Sequence, residues 1–309
     1  MRETNNLTIY AGLTLAVIFW GFSFVATKIA LESIPVFTLI FIRFFLSSFF
    51  FGLLILKNGF PRFSSEGRRL VFLTAIFEPV LYFIFETKGL QYTSAPKASL
   101  IIATIPLLVL VLASFVLKER SKRASFFGIL ISLFGIWFLI TGARDFSWGF
   151  QGSLIGDLLI FGAVFSAAIY IICARHLGKK YSSLEITTMQ TLYGTIFFAV
   201  PFAWEFPEVQ WSLMSGRSIA ALVYLTIFAT IAAYLLYNHA LTKIPAAKAA
   251  IFINGIPLVT IAGAWFLLEE TLTPVQAGGG FLVLAAIFIT SFPDLKTFNN
   301  GIKPVKIVK

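Results

Sequence analysis

The sequence predicts an all-α integral membrane protein, with ten transmembrane helices arranged as two inverted five-helix repeats. Three observations support this fold class: the composition, the spacing of the apolar runs and an internal repeat. Hydrophobic residues make up 58% of the 309 positions and charged residues only 12%, and the mean hydropathy is +0.90. A soluble domain carries roughly 25% charged residues. This chain therefore lacks the side chains to build a surface that faces water.

Ten apolar runs are long enough to cross a bilayer, which takes about 20 residues of helix. Short separators with proline, glycine or charge divide them, such as Ser33-Ile34-Pro35 and Thr273-Pro274. The first run is too long for the apolar region of a cleavable signal peptide, so we expect it to stay in place as helix one. The predicted helices span approximately residues 9–29, 36–56, 69–87, 97–117, 124–141, 153–173, 186–204, 217–237, 247–267 and 274–291.

The distribution of basic residues predicts the orientation of these helices. With the N-terminus inside, the cytoplasmic segments hold 17 Lys and Arg residues and the outer segments hold 4. Short cytoplasmic loops normally carry this excess of positive charge. We therefore expect a multi-pass protein with both termini in the cytoplasm.

An internal repeat relates the two halves of the chain. Residues 97–119 and 248–270, which lie 151 positions apart, are identical at 10 of 23 positions. The matches include the pairs Lys97/Lys248, Pro106/Pro257 and Glu119/Glu270. Helix four thus corresponds to helix nine. Consecutive membrane helices alternate in direction, and these two are five helices apart, so the two copies lie in opposite senses across the bilayer. The predicted units are repeats at 1–145 and 146–295 and a basic tail at 296–309.

Five short motifs mark the two predicted repeats. They are Phe19-Trp20-Gly21-Phe22-Ser23-Phe24-Val25, Arg43-Phe44, Gly89-Leu90-Gln91-Tyr92-Thr93-Ser94-Ala95, Leu117-Lys118-Glu119 and Leu268-Glu269-Glu270. Together they resemble the EamA-type members of the drug/metabolite transporter superfamily, over essentially the whole chain. The resemblance implies alternating access in the plasma membrane of a prokaryote, and often export of amino acids or other metabolites. The two lysines at 97 and 248 depart from what we expect throughout that family.

Enzyme chemistry and nucleic-acid binding are poorly supported. The net charge is +10, but the basic residues are spread over short loops and the tail. The two histidines, His176 and His239, have no partner at metal-ligand spacing, and no hydrolase, metalloprotease or nucleotide-binding motif is present. We expect no cofactor, no metal and no ATP-binding domain, so transport would be secondary or passive.

Lys97 and Lys248 are the first candidates for a substrate site. A charged side chain at the centre of a membrane helix costs at least ~2.5–3.5 kcal/mol, so it needs a reason. The two lysines open helices four and nine from opposite sides, beside helix N-termini whose free N–H groups favour anions. One interpretation is that they bind a carboxylate or phosphate at each vestibule, similar to the basic residues of organophosphate translocators. The other is that both extend to the interface and anchor the helix ends.

Polar residues spaced by four form stripes on helices three and eight. The stripes are Thr74, Glu78, Tyr82 and Glu86 on helix three, and Thr226, Thr230, Tyr234 and Asn238 on helix eight. Pro79 should loosen helix three beside Glu78 and free backbone carbonyls. We interpret the stripes as a cavity wall and Glu78 as a candidate proton-coupling site. The alternative is a set of interhelical hydrogen bonds that only hold the bundle together.

Aromatic and helix-breaking residues complete the predicted site. Trp20 lies in the middle of helix one, whereas the tryptophans of an interfacial belt lie near helix ends. Tyr170 in helix six is a weaker candidate of the same kind. Asn254 precedes Pro257 by three residues, and Pro106 and Pro257 should break helices four and nine. Both features suit a binding site, and both could be simple kinks.

The remaining charged residues are expected to be structural. Arg43 and Glu86 lie in the outer thirds of helices two and three, which favours a buried ion pair over contact with substrate. Glu119 and Glu270 end helices four and nine, against the helix dipole, and we interpret them as caps or gate latches. Asp157 complements the dipole at the start of helix six and needs no other role.

The predicted function is transport of a small polar metabolite around a central site lined by helices one, three, four, six, eight and nine. The predicted site residues are Trp20, Glu78, Tyr82, Lys97, Tyr170, Tyr234, Asn238, Lys248 and Asn254. Amino acids are favoured, with the carboxylate on the lysines and the ammonium on Glu78. The alternatives are an organic-anion or organophosphate exchanger, a cationic-drug exporter, and a non-transporting scaffold or lipid-handling enzyme. Expected partners are the substrate, membrane lipid and protons, with the chain as a monomer or homodimer.

Overall fold

The computed structural model describes residues 6–116, 123–142 and 152–298, and within these ranges the chain forms helices and no strands. The helices are α1 (Asn6–Leu31), α2 (Val36–Asn58), α3 (Ser65–Tyr92), α4 (Ala95–Val116), α5 (Arg123–Thr141), α6 (Ser153–Leu177), α7 (Ser183–Glu205), α8 (Gly216–Lys243), α9 (Ala246–Leu268) and α10 (Pro274–Phe298). Each overlaps one of the helices predicted from the apolar runs.

Seven helices of the described ranges, namely α1, α2, α3, α4, α6, α8 and α9, are long and apolar enough to cross a membrane. In α7 the first half is polar, and Thr187 and Gln190 there are buried inside the bundle. The apolar part of α10, Pro274–Ala286, is shorter than a full span. The all-helical fold is therefore confirmed for the described residues, whereas the count of ten spans and the inverted repeats stay predictions.

Helices α3 and α8 are both interrupted near their centres by a π-helical segment. The segment is Ile76–Leu81 in α3 and Leu225–Ala232 in α8. A shift of 151 positions carries the first segment onto 227–232, within the second. Such segments leave backbone carbonyls without their usual helical partners and often occur at functional sites.

Helices α4 and α9 are broken as well. In α4 the α-helical parts are Ala95–Ile102 and Ile105–Val116, and in α9 a 3₁₀ turn at Phe252–Gly255 precedes the final helix. Pro106 and Pro257 each occupy the second position of the segment that follows the break, where a missing N–H is tolerated. The prediction that the two prolines break these helices is confirmed.

The packing joins helices from opposite parts of the chain. Helix α2 packs against α7, α3 against α6, α5 against α10, and α1 against α8 and α9. Glycines allow the backbones to approach closely: a Cβ on Gly156 in α6 would lie 2.9 Å from the carbonyl oxygen of Gly89 in α3. Every one of these contacts connects residues 1–145 with residues 146–295, so the centre of the bundle is bounded by both.

Candidate functional site

A polar cavity lies at the centre of the bundle, where α1, α2, α3, α4, α6, α8 and α9 meet. Its charged and aromatic lining residues are Trp20, Phe24, Arg43, Glu78, Tyr82, Phe83, Glu86, Tyr170, Tyr234 and Tyr237, and isoleucines supply much of the rest. The cavity volume is about 40 Å³, room for roughly three water molecules. A metabolite therefore needs the cavity to widen. Five of the predicted site residues line it: Trp20, Glu78, Tyr82, Tyr170 and Tyr234.

Glu78 lies at the break in α3. Its backbone angles are φ −147° and ψ 112°, which are not helical, and Pro79 follows it. The freed Glu78 carbonyl accepts a hydrogen bond of 3.2 Å from the Gln190 side chain, and the Glu78 carboxyl accepts one from the Tyr234 hydroxyl. The prediction that Pro79 loosens the helix here is confirmed. The break turns a buried carboxyl toward the cavity while α7 and α8 satisfy its backbone and side chain.

Asn238 stands behind the cavity wall and connects three helices. Its side-chain oxygen accepts from the Tyr170 hydroxyl at 2.8 Å, and its amide nitrogen donates to Thr187 at 2.9 Å and to Gln190 at 2.8 Å. Asn238 therefore orients Tyr170, which lines the cavity, without being among the lining residues itself. Sequence reasoning missed Thr187 and Gln190. Their signal was the polar first half of the otherwise apolar helix α7.

Arg43 lines the cavity, and its placement corrects the expected ion pair with Glu86. The Arg43 Nε donates a hydrogen bond to the Thr230 hydroxyl, and the guanidinium carbon lies 4.5 Å from the centre of the Phe83 ring. Glu86 interacts with Arg43 electrostatically, but its hydrogen bond is with the neighbouring Thr87 at 3.0 Å. Both side chains line the cavity, but they do not form an ion pair with each other. Through Arg43, α2 also lines the cavity, although it was not among the helices predicted to do so.

Trp20 closes one side of the cavity with its indole ring. The ring nitrogen donates a 3.1 Å hydrogen bond to the carbonyl of Ala229, which belongs to the π-helical segment of α8. The indole lies 5.7 Å from the Tyr234 ring and 4.9 Å from the Tyr237 ring. The interrupted helix thus supplies a carbonyl that fixes the orientation of an aromatic side chain in the cavity.

Lys97 lies outside the cavity lining and forms a buried ion pair. Its Nζ is 2.6 Å from Oδ2 of Asp157, and the two side chains are 2% and 0% exposed. The Thr93 hydroxyl donates to Oδ1 of Asp157 at 2.8 Å. This placement corrects two expectations, the vestibule position of Lys97 and the purely helix-capping role of Asp157. A buried ammonium needs a carboxylate beside it, and α6 provides one.

Two other predicted residues also lie away from the cavity lining. Lys248 is half-buried in the first turn of α9. Asn254 belongs to the 3₁₀ turn of α9, and its side-chain oxygen is buried without a hydrogen-bond partner among the described residues. The structure therefore brings the polar stripes together at the cavity but does not bring the two lysines there.

A second polar cluster ties together the ends of α1, α4 and α9. Lys28 Nζ lies 2.7 Å from Oε1 of Glu270 and donates to the Thr93 carbonyl at 2.9 Å. The other Glu270 oxygen accepts from the backbone N–H of Ala95 at 2.8 Å, at the N-terminus of α4. Glu270 thus caps α4, which agrees with its interpretation as a cap. Glu119, its counterpart in the repeat, lies outside the described residues.

The cavity chemistry suits the binding of a small charged solute. The Arg43 guanidinium can bind an anion, and Glu78 and Glu86 can bind a cation or a proton, all within an aromatic and aliphatic frame. Within the described part of the chain, no three His, Cys, Asp or Glu side chains lie close enough together to hold a metal ion.

Comparison with known proteins identifies the family. The model of the EamA-like transporter family matches residues 7–141 and, a second time, residues 154–292. The chain belongs to the EamA-like transporter family. This EamA-like protein is therefore a multi-pass membrane transporter and not an enzyme.

Relatives of this EamA-like transporter occur in bacteria and archaea. The uncharacterized transporter YetK of Bacillus subtilis (strain 168) is 28% identical over 292 residues, which cover 93% of this chain and 87% of YetK. An uncharacterized transporter of Archaeoglobus fulgidus is 29% identical over 278 residues, 90% of this chain and 96% of its own length. A protein of known crystal structure has the same fold, with a TM-score of 0.68 over 95% of this chain and 99% of its own, at 16% identity.

Proposed function

We propose that this EamA-like transporter is a secondary carrier that exports small polar metabolites, with amino acids favoured, by alternating access across the plasma membrane. The observation that supports the proposal best is the central cavity, in which Arg43 lies with Glu78 and Glu86 in an aromatic frame. An amino acid carries one group of each sign at neutral pH, so the cavity offers a partner to both of its charges. The isoleucines of the lining suit an apolar side chain.

The proposed cycle uses ten spans in two inverted five-helix halves, 1–145 and 146–295. The matching interruptions of α3 and α8, and of α4 and α9, support this arrangement, as does packing between the two parts of the chain. In inverted-repeat carriers the site lies where the repeats meet, and one half rocks against the other around it. The Lys and Arg bias favours both termini in the cytoplasm.

An organic-cation exporter is the second candidate. It is favoured by the two carboxyl groups of Glu78 and Glu86, against one guanidinium, and by the aromatic lining. An organophosphate exchanger loses its sequence-based support, because Lys97 is paired with Asp157 and Lys248 does not line the cavity.

Coupling to protons is proposed to act through Glu78. The carboxyl is buried beside the cavity and already accepts a hydrogen bond from Tyr234. A proton and a substrate ammonium would then compete for the same carboxyl, and this competition can link their movements in opposite directions.

Counterflow uptake into proteoliposomes tests the proposal. Vesicles preloaded with an unlabelled solute are offered the same solute labelled, over a panel of amino acids, organic phosphates, dicarboxylates and organic cations. We expect an amino acid to accumulate with the wild type and with Glu66→Gln, a control at an exposed glutamate, but not in protein-free vesicles. Accumulation of cations alone supports the second candidate, and no accumulation of any solute contradicts a carrier.

A further inference from the structure

The carboxylate of an amino acid needs a positively charged partner in the cavity, and the two lysines predicted for that role are not there. We infer that Arg43 binds the carboxylate of the substrate. This inference rests on the proposed carrier function and adds the residue that selects for a carboxylate. Three features of Arg43 support it: its unused hydrogen-bond donors, its fixed orientation and two acidic neighbours that form no ion pair with it.

Arg43 has more donors than partners. A guanidinium carries five N–H groups in a planar fork that matches a carboxylate. Among the described residues only the Nε of Arg43 makes a hydrogen bond, to the Thr230 hydroxyl. The side chain is buried and lines the cavity, so Nη1 and Nη2 remain as donors beside the cavity. The cavity is the place from which a partner for these two nitrogens can come.

The orientation of the fork is set from two sides. The Phe83 ring lies against the guanidinium at 4.5 Å, a cation–π distance. The Thr230 hydroxyl donates to the Leu225 carbonyl at 2.9 Å, inside the π-helical segment of α8. Because that proton is committed to Leu225, the Thr230 oxygen can only accept from Arg43. The fork is thus held in place before a substrate arrives, which lowers the entropy cost of binding.

The acidic neighbours balance the charge of Arg43 without covering it. Glu78 and Glu86 both interact with Arg43 electrostatically, yet neither forms an ion pair with it. The Lys97–Asp157 pair shows the contrasting arrangement, in which the two charges lie 2.6 Å apart in a direct ion pair. If Arg43 were purely structural, we would expect it to form a direct ion pair with an acidic side chain, as Lys97 does with Asp157.

A second unpaired group marks the same cavity. The hydroxyl of Tyr237 is buried without a hydrogen-bond partner among the described residues, although the ring lines the cavity beside Trp20. Tyr237 lies on α8 seven residues beyond Thr230, so unused donors occur at two levels of the cavity. A ligand that fills the widened cavity can satisfy both.

Direct binding to the purified, full-length protein in detergent tests the role of Arg43. The probes are labelled leucine, leucinamide, which lacks the carboxylate, and glycerol 3-phosphate. The variants are Arg43→Lys, Arg43→Gln and, as a matched control, Arg68→Gln at an exposed arginine whose hydrogen bonds within the described ranges are to Phe63 and Ser65. Loss of a bidentate charged pair should weaken leucine binding roughly 10- to 100-fold in Arg43→Gln. The affinity of Arg43→Lys for leucine should lie between those of the wild type and Arg43→Gln. Binding of leucinamide should change less than about twofold in every variant.

The outcomes separate this inference from the carrier proposal. Equal binding of leucine and leucinamide to the wild type, or unchanged leucine binding to Arg43→Gln, overturns the role of Arg43. Arg43-dependent binding of glycerol 3-phosphate alone overturns the carboxylate as the ligand. If Arg43→Gln does not fold, Arg43→Lys decides, because it keeps the positive charge and the aliphatic part of the side chain but not the planar fork. If none of the probes binds to the wild type, the inference fails, and counterflow of another solute shows whether the carrier proposal survives.

Discussion

Replacing Lys97 with methionine removes one charge from a buried ion pair and keeps the length of the side chain. The Lys97 ammonium lies 2.6 Å from the Asp157 carboxylate, and the two side chains are 2% and 0% exposed, so water does not screen the pair. Removal of one partner leaves the other charge buried and uncompensated, which costs about 3–5 kcal/mol. We expect Lys97→Met to lower the free energy of unfolding by that amount.

The partner substitution and the double variant test the same reasoning. Asp157→Asn should also be strongly destabilising, because it leaves the Lys97 charge unpaired while an acceptor for the Thr93 hydroxyl remains. The double variant Lys97→Met/Asp157→Asn removes both charges, so most of the lost stability should return. The control is Lys248→Met, since Lys248 is half-buried at the equivalent position of the repeat and should cost less.

Unfolding of the purified variants by dodecyl sulfate measures these free energies. The single cysteine, Cys173, lies in the same helix as Asp157 and is half-buried, so its reaction with a thiol reagent reports the opening of α6. One result would refute the reasoning: single variants as stable as the wild type that have nevertheless lost counterflow. Lys97 would then be a substrate ligand, as the sequence suggested.

Three further predictions concern helix contacts, the end cluster and the proton site. Gly156→Ala should lower the free energy of unfolding measured in dodecyl sulfate, because the new Cβ meets the Gly89 backbone at 2.9 Å. The control Gly278→Ala should not lower it, because no atom lies within 4 Å of the new Cβ. Equal effects of the two substitutions would contradict the close contact of α3 and α6. Glu270→Gln should lower the free energy of unfolding by about 1 kcal/mol, because the cap of α4 weakens. Adding Lys28→Met should lower it little further if the two residues act as a pair. Fully additive losses would show that they act separately. Glu78→Gln should abolish any pH dependence of counterflow, and a pH dependence that persists in this variant would exclude Glu78 as the proton site.

Much of the helical framework follows from the sequence alone. Membrane helices must be about as long as the bilayer is thick, so apolar runs and their separators predict where each helix lies. Proline has no N–H to donate, so Pro79, Pro106 and Pro257 predict where α3, α4 and α9 break. The polar stripes predict which faces line a cavity, and Glu78, Tyr82 and Tyr234 do line it.

The partners of the charged residues were decided only by the tertiary structure. A helix that is apolar on every side shows no face preference in its sequence, so the packing determines which residue Lys97 or Arg43 meets. Lys97 pairs with Asp157 because the neighbouring Gly156 packs closely against the backbone of Gly89 and Thr93, where α3 ends and α4 is about to begin. Arg43 meets Thr230 because α8 is interrupted where α2 crosses it. The sequence predicted where each charge lies along its helix, and only the packing of neighbouring helices determined whether it was paired or left facing the cavity.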